Sequence, residues 1–397
     1  MLNPLQDQLL PVDASFEDAF PSKLIPDNSD VDKGKCGFGI TYAEFFAHPH
    51  SILVIPSISI IEDKYDQYVK LSRFKVIGGT KVEDLREYLL KDTGYKNIIV
   101  TPESFNRIIE AAKDRLEWLF DTFFCFLDES HCYATDAYRD DILKPFNWFF
   151  KFKKKGMGTA THFQYSDPRF KQLKKYTIRY TEKFGKISII NTEKPQDTLK
   201  AILSNPDKFP GNVHIFFNTV TQCGDAVVST GVKDVNIFCR EDEKNMIKLA
   251  EASEYFKYKP TKGCYRKFNF YSCRYNEGWD LYDDANATII LITDTKVPHS
   301  LIGIPFKGFQ AVGRLREVKP NRIYHITNTY NKTEVKSLEQ IQKGCYRAAE
   351  THIKHHNDFI KECEAKGEDS LGGIVDAIKR YADIDKVNSH AVLNPMK

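Results

Sequence analysis

The feature that most constrains this chain is an alternation of short apolar runs with longer amphipathic stretches. In the first half, SILVIPS (51–57), KVIGG (75–79), NIIVTP (97–102) and FFCFLDE (123–129) are brief and rich in Ile, Val and Phe. Such runs fit strands buried on both faces, as in a parallel sheet covered by helices. Between them, VEDLREYLLKDTG (82–94) and ESFNRIIEAAKDRLEWLF (103–120) carry apolar residues at helical spacing. The rhythm returns in ISIIN (187–191), VHIFFN (213–218), VNIFC (235–239), KFNFYS (267–272) and ATIILIT (287–293). The expectation is an α/β chain of two successive parallel-sheet units, since 397 residues exceed one ordinary core.

The basic stretch KFKKKGMGTATHFQYSDPRFKQLKKYTIRYTEKFGK (151–186) separates the halves and places the boundary near residues 165 to 185. The expected domains are 1–165, 166–336 and a helical extension with a polar tail, 337–397. Before Asp32 the chain reads IPDNSDV, with little to propose as a strand leading into the loop that follows. The run Lys151, Lys153, Lys154, Lys155 reads as a solvated helix end, and the histidines of KHH (354–356) as surface residues.

Composition narrows the function classes. The chain is 42% hydrophobic and 13% aromatic, which places it outside the disordered regime. A net charge of only +3 means that any nucleic-acid role must come from local clustering. Nine scattered cysteines without a CxxC pair argue against a disulfide framework or a zinc ribbon and point to a reducing cytoplasm. No segment offers the roughly 18 apolar residues of a membrane span, and MLNPLQDQLLPVDASFEDAF has acids where a signal peptide is basic.

The chemistry concentrates in a few motifs. DKGKCGFGIT (32–41) has the glycine spacing of a phosphate-cradling loop, with Ile40 where a lysine normally stands. FFCFLDESHCY puts Asp128 and Glu129 directly after a buried strand, where open α/β sheets hold ligand-handling groups. Adjacent acids there can hold Mg²⁺ and polarise a water, or they can be a solvated pair at a helix start. GTATH (158–162), NEGWD (276–280) and QAVGRLR (310–316) follow in order.

In that order, phosphate loop, DESH, TAT, EGWD and QxxGRxR resemble motifs I, II, III, V and VI of superfamily 2 helicases and translocases. The resemblance runs from about residue 32 to 317, and His131 makes the acidic motif DEAH/DExH-like. It implies two tandem RecA-like domains with ATP and Mg²⁺ between them and nucleic acid across their tops. Lys35, Cys36, Gly37, Phe38, Gly39, Ile40 and Thr41 would form the phosphate loop. Thr41 and Asp128 would hold the metal, and Glu129 would be the catalytic base. Gly278 and Asp280 would approach the nucleotide from the second domain, with Gln310, Arg314 and Arg316 facing the γ-phosphate. The pattern usually ends with an arginine three residues after the GR pair, but Glu317 follows Arg316, so the arginine finger is assigned to neither arginine alone. His131, Thr159 and Thr161 would couple the nucleotide state to domain closure.

Nucleic acid, DNA rather than RNA, would be gripped by its backbone at Pro56, Ser57, Gly79, Thr101, Asn218 and Thr219. The C-terminal helices would be open to a protein partner. Two lysines stand close to the position of the missing one: Lys35, at the offset of the signature lysine in loops of the KGGxGKT kind, and Lys33, two residues further back. Lysine-less loops resemble those of some phage-encoded helicases. Two functions follow: an ATP-driven helicase or translocase, and a degenerate helicase-like module that binds nucleic acid or protein without turnover.

Overall fold

The computed structural model describes residues 6–47, 49–67, 73–91, 94–136, 139, 141–165, 167–183, 185–276, 279–329, 337–367, 378, 382–385 and 389–393. Two wholly parallel sheets account for most of it. The first contains β1 (Asp7–Leu10), β2 (Ser29–Asp32), β3 (Ser51–Val54), β4 (Phe74–Val76), β5 (Asn97–Val100), β6 (Phe124–Asp128), β7 (Lys154–Thr159) and β8 (Lys174–Tyr180), in the order β1-β8-β2-β7-β6-β3-β5-β4. The second contains β9 (Ile187–Asn191), β10 (Val213–Phe217), β11 (Val235–Phe238), β12 (Phe256–Lys257), β13 (Phe268–Tyr271), β14 (Thr288–Thr293) and β15 (Arg322–Thr327), in the order β12-β11-β13-β10-β14-β15-β9.

Both sheets are covered on both faces, which is why their strands read as unbroken apolar runs. In the first, Ile52, Val54, Ile98 and Leu127 pack into one cluster while Leu53, Ile99, Phe124 and Phe126 pack into another. Successive residues of a strand point to opposite faces, so each run feeds two cores. The second sheet divides likewise, Ile290 and Ile292 on one side and Ile289 and Leu291 on the other.

Several expectations shift. β8, which ends at Tyr180, pairs with β1 and β2 and so belongs to the first sheet, while the second sheet begins at Ile187. A strand does lead into the glycine-bearing loop at 33–39: β2, whose SDVD sequence hides it, lies between β8 and β7. The lysine run ends in a strand and not a helix: β7 begins at Lys154, and Lys155 is buried with its ammonium on the Phe152 carbonyl. The expected helix over 103–120 breaks where Arg115 leaves helical geometry (φ −139°, ψ 31°).

The helix Leu338–Lys366 is N-capped by Ser337 in a capping box with Gln340 and stopped by left-handed Gly367. It packs a small antiparallel hairpin, β16 (Ala382–Ile384) and β17 (Ala391–Leu393), through Asn357 and the backbone of Ala391. His356 is therefore no surface residue: it is buried, with Nε2 2.8 Å from the Ser389 carbonyl oxygen. No helix among the described residues is long and apolar enough to cross a membrane.

Candidate active site

Because every strand of the first sheet runs the same way, β2, β7 and β6 deliver Asp32, Thr159 and Asp128 to one edge. The ends of β3, β5 and β4 carry Pro56, Thr101 and Gly79 along the other half of that edge.

The loop after β2 is built by short-range chemistry. Asp32 accepts from the Gly34 N–H (3.3 Å) and from Arg179 (2.9 Å), turning the chain. Gly34 follows at φ +62°, where a Cβ would lie 2.3 Å from the Ile178 carbonyl oxygen, so only glycine fits. Phe38 closes the loop by accepting from the Phe16 N–H (2.8 Å). The helix Ile40–Ala47 then begins, and its first residues, Ile40, Thr41 and Tyr42, border the site.

Lys33 is the residue that linear spacing underrated. Its N–H still bonds the Thr159 carbonyl (2.8 Å), and its own carbonyl accepts from the Tyr180 hydroxyl (2.9 Å). Thus clamped, its ammonium lies 3.2 Å from Asp128 Oδ1 and 3.2 Å from Glu129 Oε1, and the residue is 5% exposed. Burial alone would depress its pKa, but the two carboxylates outweigh burial and hold it above the ordinary lysine value. Lys35 points away from the acids. Its ammonium donates to the Val12 carbonyl (2.7 Å) and lies over the Tyr180 ring, tying the loop to the N-terminal segment. Ile40 is 1% exposed and packs with Val31, Phe38 and Phe126.

The acids are held from all sides. Asp128 accepts the Thr41 hydroxyl and the Glu129 N–H. Glu129 adopts φ +46°, a left-handed backbone rare for a side-chain-bearing residue and typical of strained functional positions. Behind it, His131 Nδ1 lies 2.8 Å from Thr159 Oγ1 and 3.5 Å from Glu129 Oε2, and Thr159 caps the Thr161 N–H at 3.1 Å.

The second lobe meets this array directly. Gln310 is fully buried; its Nε2 donates to Glu129 Oε2 (3.3 Å) and Thr161 Oγ1 (3.4 Å), and its Oε1 accepts from Arg314 Nη2 (3.0 Å) and Cys36 Sγ (3.2 Å). Arg316 donates to Asp280 Oδ1 (2.7 Å) and the Gly313 carbonyl (2.8 Å). The Leu281–Leu315 bridge sets that register. Gly37, at φ +73°, lies so close to Arg316 that a Cβ would come within 2.7 Å of Nη1.

Both lobes line a cavity of about 330 Å³, with Lys33, Thr41, Asp128 and Glu129 on one wall and Asp280, Arg314 and Arg316 on the other. Gly37, Phe38, Gly39 and Ile40 border it, as do Tyr282 and Glu317, while Lys35 and Cys36 do not line it. Gly278 lies outside the described residues. Thr41 and Asp128 offer hard oxygen donors suited to Mg²⁺, which takes few protein ligands beside phosphate and water. No group of three or more His, Cys, Asp or Glu residues is arranged to hold a metal among the described residues.

The candidate nucleic-acid residues are partly committed to structure. Thr101 donates to Ser104 (3.1 Å), the Pro56 carbonyl accepts from Arg139, and Thr219 caps the helix Val220–Thr230. Asn218 accepts from the Cys273 N–H (3.1 Å). Gly79 sits at φ +88° with open space around it.

Comparison with known proteins agrees with this architecture. Residues 38–167 match the family model for DEAD/DEAH box helicases. No curated protein matches the chain in sequence. Among solved structures, Saccharomyces cerevisiae Dbp5 bound to RNA and ADP BeF3 is 13% identical, with a TM-score of 0.51 over 80% of this chain and 84% of that one. A variant of S. cerevisiae Dbp5 bound to a Gle1 variant and IP6 is 11% identical, also at 0.51, over 84% and 92%. These likenesses show the fold: two tandem RecA-like domains with parallel sheets, followed by a helical extension.

Proposed function

We propose that the chain is an ATP-dependent helicase or translocase of superfamily 2, hydrolysing ATP between its two domains to move along nucleic acid. One observation carries the reading: the acids of the first lobe and the arginines of the second line one cavity across which Gln310 bonds Glu129. Its volume falls within the roughly 300–1,000 Å³ range of ligand sites. A surface Asp-Glu pair would not be met by a buried carboxamide and two guanidinium groups from another domain.

Thr41 and Asp128 would hold Mg²⁺, which when bound offsets phosphate charge. Glu129 takes the proton of the attacking water as its oxygen bonds the γ-phosphorus and the bond to the β-phosphate oxygen breaks. Gln310 fixes the Glu129 carboxylate for that task. Arg314 and Arg316 offset charge developing on the transferred group, a contribution worth roughly 10³ to 10⁵ in rate where an arginine finger acts. His131, Thr159 and Thr161 link Glu129 to the strand ends of the first lobe, so that hydrolysis and domain opening are coupled. The nucleic acid would lie along the strand ends bearing Ser57, Gly79 and Thr101.

ATP turnover, measured with single-stranded DNA, single-stranded RNA and duplex and repeated for Glu129→Gln, tests the proposal. Stimulated turnover in wild type and its loss in Glu129→Gln are expected. Turnover no higher than the variant's with every polymer would leave the alternative of a binding module without hydrolysis.

A further inference from the structure

We infer that Lys33 is the phosphate-binding cation of this site, supplied from the end of strand β2 in place of the lysine that position 40 lacks. The inference rests on the nucleotide-binding reading above and concerns which residue serves it.

Three observations lead there. First, position 40 cannot supply the charge and has been given over to the core: Ile40 packs with Val31, Phe38 and Phe126, and its Cδ1 lies 3.3 Å from where a Gly158 Cβ would stand. Second, Lys35 is spent elsewhere, on the Val12 carbonyl and the Tyr180 ring. Third, Lys33 alone among the loop's lysines lines the cavity, and its ammonium is equidistant from Asp128 and Glu129 at 3.2 Å. Its backbone is fixed on both sides, by Thr159 and by Tyr180, so only the side chain is left to move.

An ammonium on a flexible four-carbon stem reaches several acceptors from one anchor. Contact with both acids gives Lys33 a second consequence: it competes for the Asp128 oxygens that Thr41 and a metal would share. Phosphate oxygens arriving beside the acids give the ammonium alternative partners and free Asp128 for Mg²⁺. The cation thus links phosphate binding to metal binding, whereas a lysine fixed in the loop would serve the phosphates alone.

Four variants of the full chain, Lys33→Met, Lys33→Ala, Lys33→Arg and Lys35→Met, test this by equilibrium binding of a fluorescent ATP analogue with Mg²⁺. Binding of Mn²⁺ without nucleotide, followed by electron paramagnetic resonance, is the second readout, and thermal melting checks folding. Lys33→Met keeps the stem and removes the charge. It is expected to weaken nucleotide binding about tenfold to a hundredfold, the worth of one or two charge-assisted hydrogen bonds. It should also bind Mn²⁺ more tightly than wild type. Lys33→Ala should behave alike, Lys33→Arg should retain part of the affinity, and Lys35→Met should bind nucleotide as wild type does. Wild-type affinity in Lys33→Met, or its loss in Lys35→Met with Lys33→Met intact, overturns the assignment of Lys33. A wild-type chain that binds no nucleotide overturns instead the reading beneath it.

Discussion

Replacing Gln310 with glutamate tests the facing of the two lobes by exchanging one amide for one carboxylate of the same shape. In wild type the Gln310 amide donates to Glu129 Oε2 at 3.3 Å. In Gln310→Glu an anionic oxygen takes that place, and two unit charges that far apart repel by about 5 kcal/mol at an effective dielectric of about 20. Arg314, 3.0 Å from the other oxygen, keeps the introduced carboxylate charged. The repulsion is therefore relieved most readily by a proton taken up between the two carboxylates of the variant. The acid limb of the pH–rate profile for ATP turnover should move alkaline by about one to three pH units, after screening by Lys33 and solvent. At neutral pH the rate should fall at least about tenfold. Gln310→Leu, which removes a donor to the Glu129 carboxylate without adding charge, should lower the rate and move the limb by less than Gln310→Glu does. A Gln310→Glu profile that coincides with wild type at every pH would mean that Gln310 and Glu129 do not meet, and the reasoning fails.

Other perturbations follow from the same geometry. Gly37→Val puts a β-branched residue at φ +73° against Arg316 and should cost about 1–3 kcal/mol while removing nucleotide binding; retained binding by titration would contradict the loop's close approach to the second lobe. Ile40→Lys, the substitution that restores the usual lysine, forces an ammonium into the cluster around Phe38 and Phe126. It should destabilise the chain by at least about 2 kcal/mol in urea unfolding, and tighter ATP binding with unchanged stability would refute that packing. Burial pushes the Glu44 carboxyl up to about 8, against the opposing pull of Arg73 and Ser51 and with a further push from Asp128. Between the ordinary value of 4.5 and about 8 the folded chain holds a proton that the unfolded chain has released. Stability should accordingly fall as pH rises through that window, by up to about 1.4 kcal/mol per unit, and level off above it. Glu44→Gln should abolish the slope, and urea midpoints with an unchanged slope would refute the placement.

What the chain disclosed in one dimension depended on what each strand buries. Runs such as Ile52–Val54 and Ile289–Ile292 are apolar on both faces and announce themselves. β2 does not: its SDVD uses buried Ser29 against the sheet and spends Asp32 on turning the chain toward Lys33, so its polarity reflects its position at the site. β7 is hidden by glycines, yet Gly156 and Gly158 are there because Phe124, Phe126 and Ile40 press within 3.1–3.3 Å of where a Cβ would stand. The site motifs were legible because each is a dense local signature at a strand end. The choice between Lys33 and Lys35 was not, because it turns on the reversal at Gly34 and on Val12 and Tyr180, partners distant in sequence. Nor could spacing reveal that Gln310 would reach Glu129 and Cys36, since that pairing belongs to the assembly of two lobes.

The most direct measurement is a crystal structure of the full chain with Mg²⁺ and a non-hydrolysable ATP analogue. The account predicts the terminal phosphate enclosed by Lys33, Thr41 and Asp128 on one side and by Arg314 and Arg316 on the other. A nucleotide bound by one lobe alone, with both arginines turned away from it, would contradict the account.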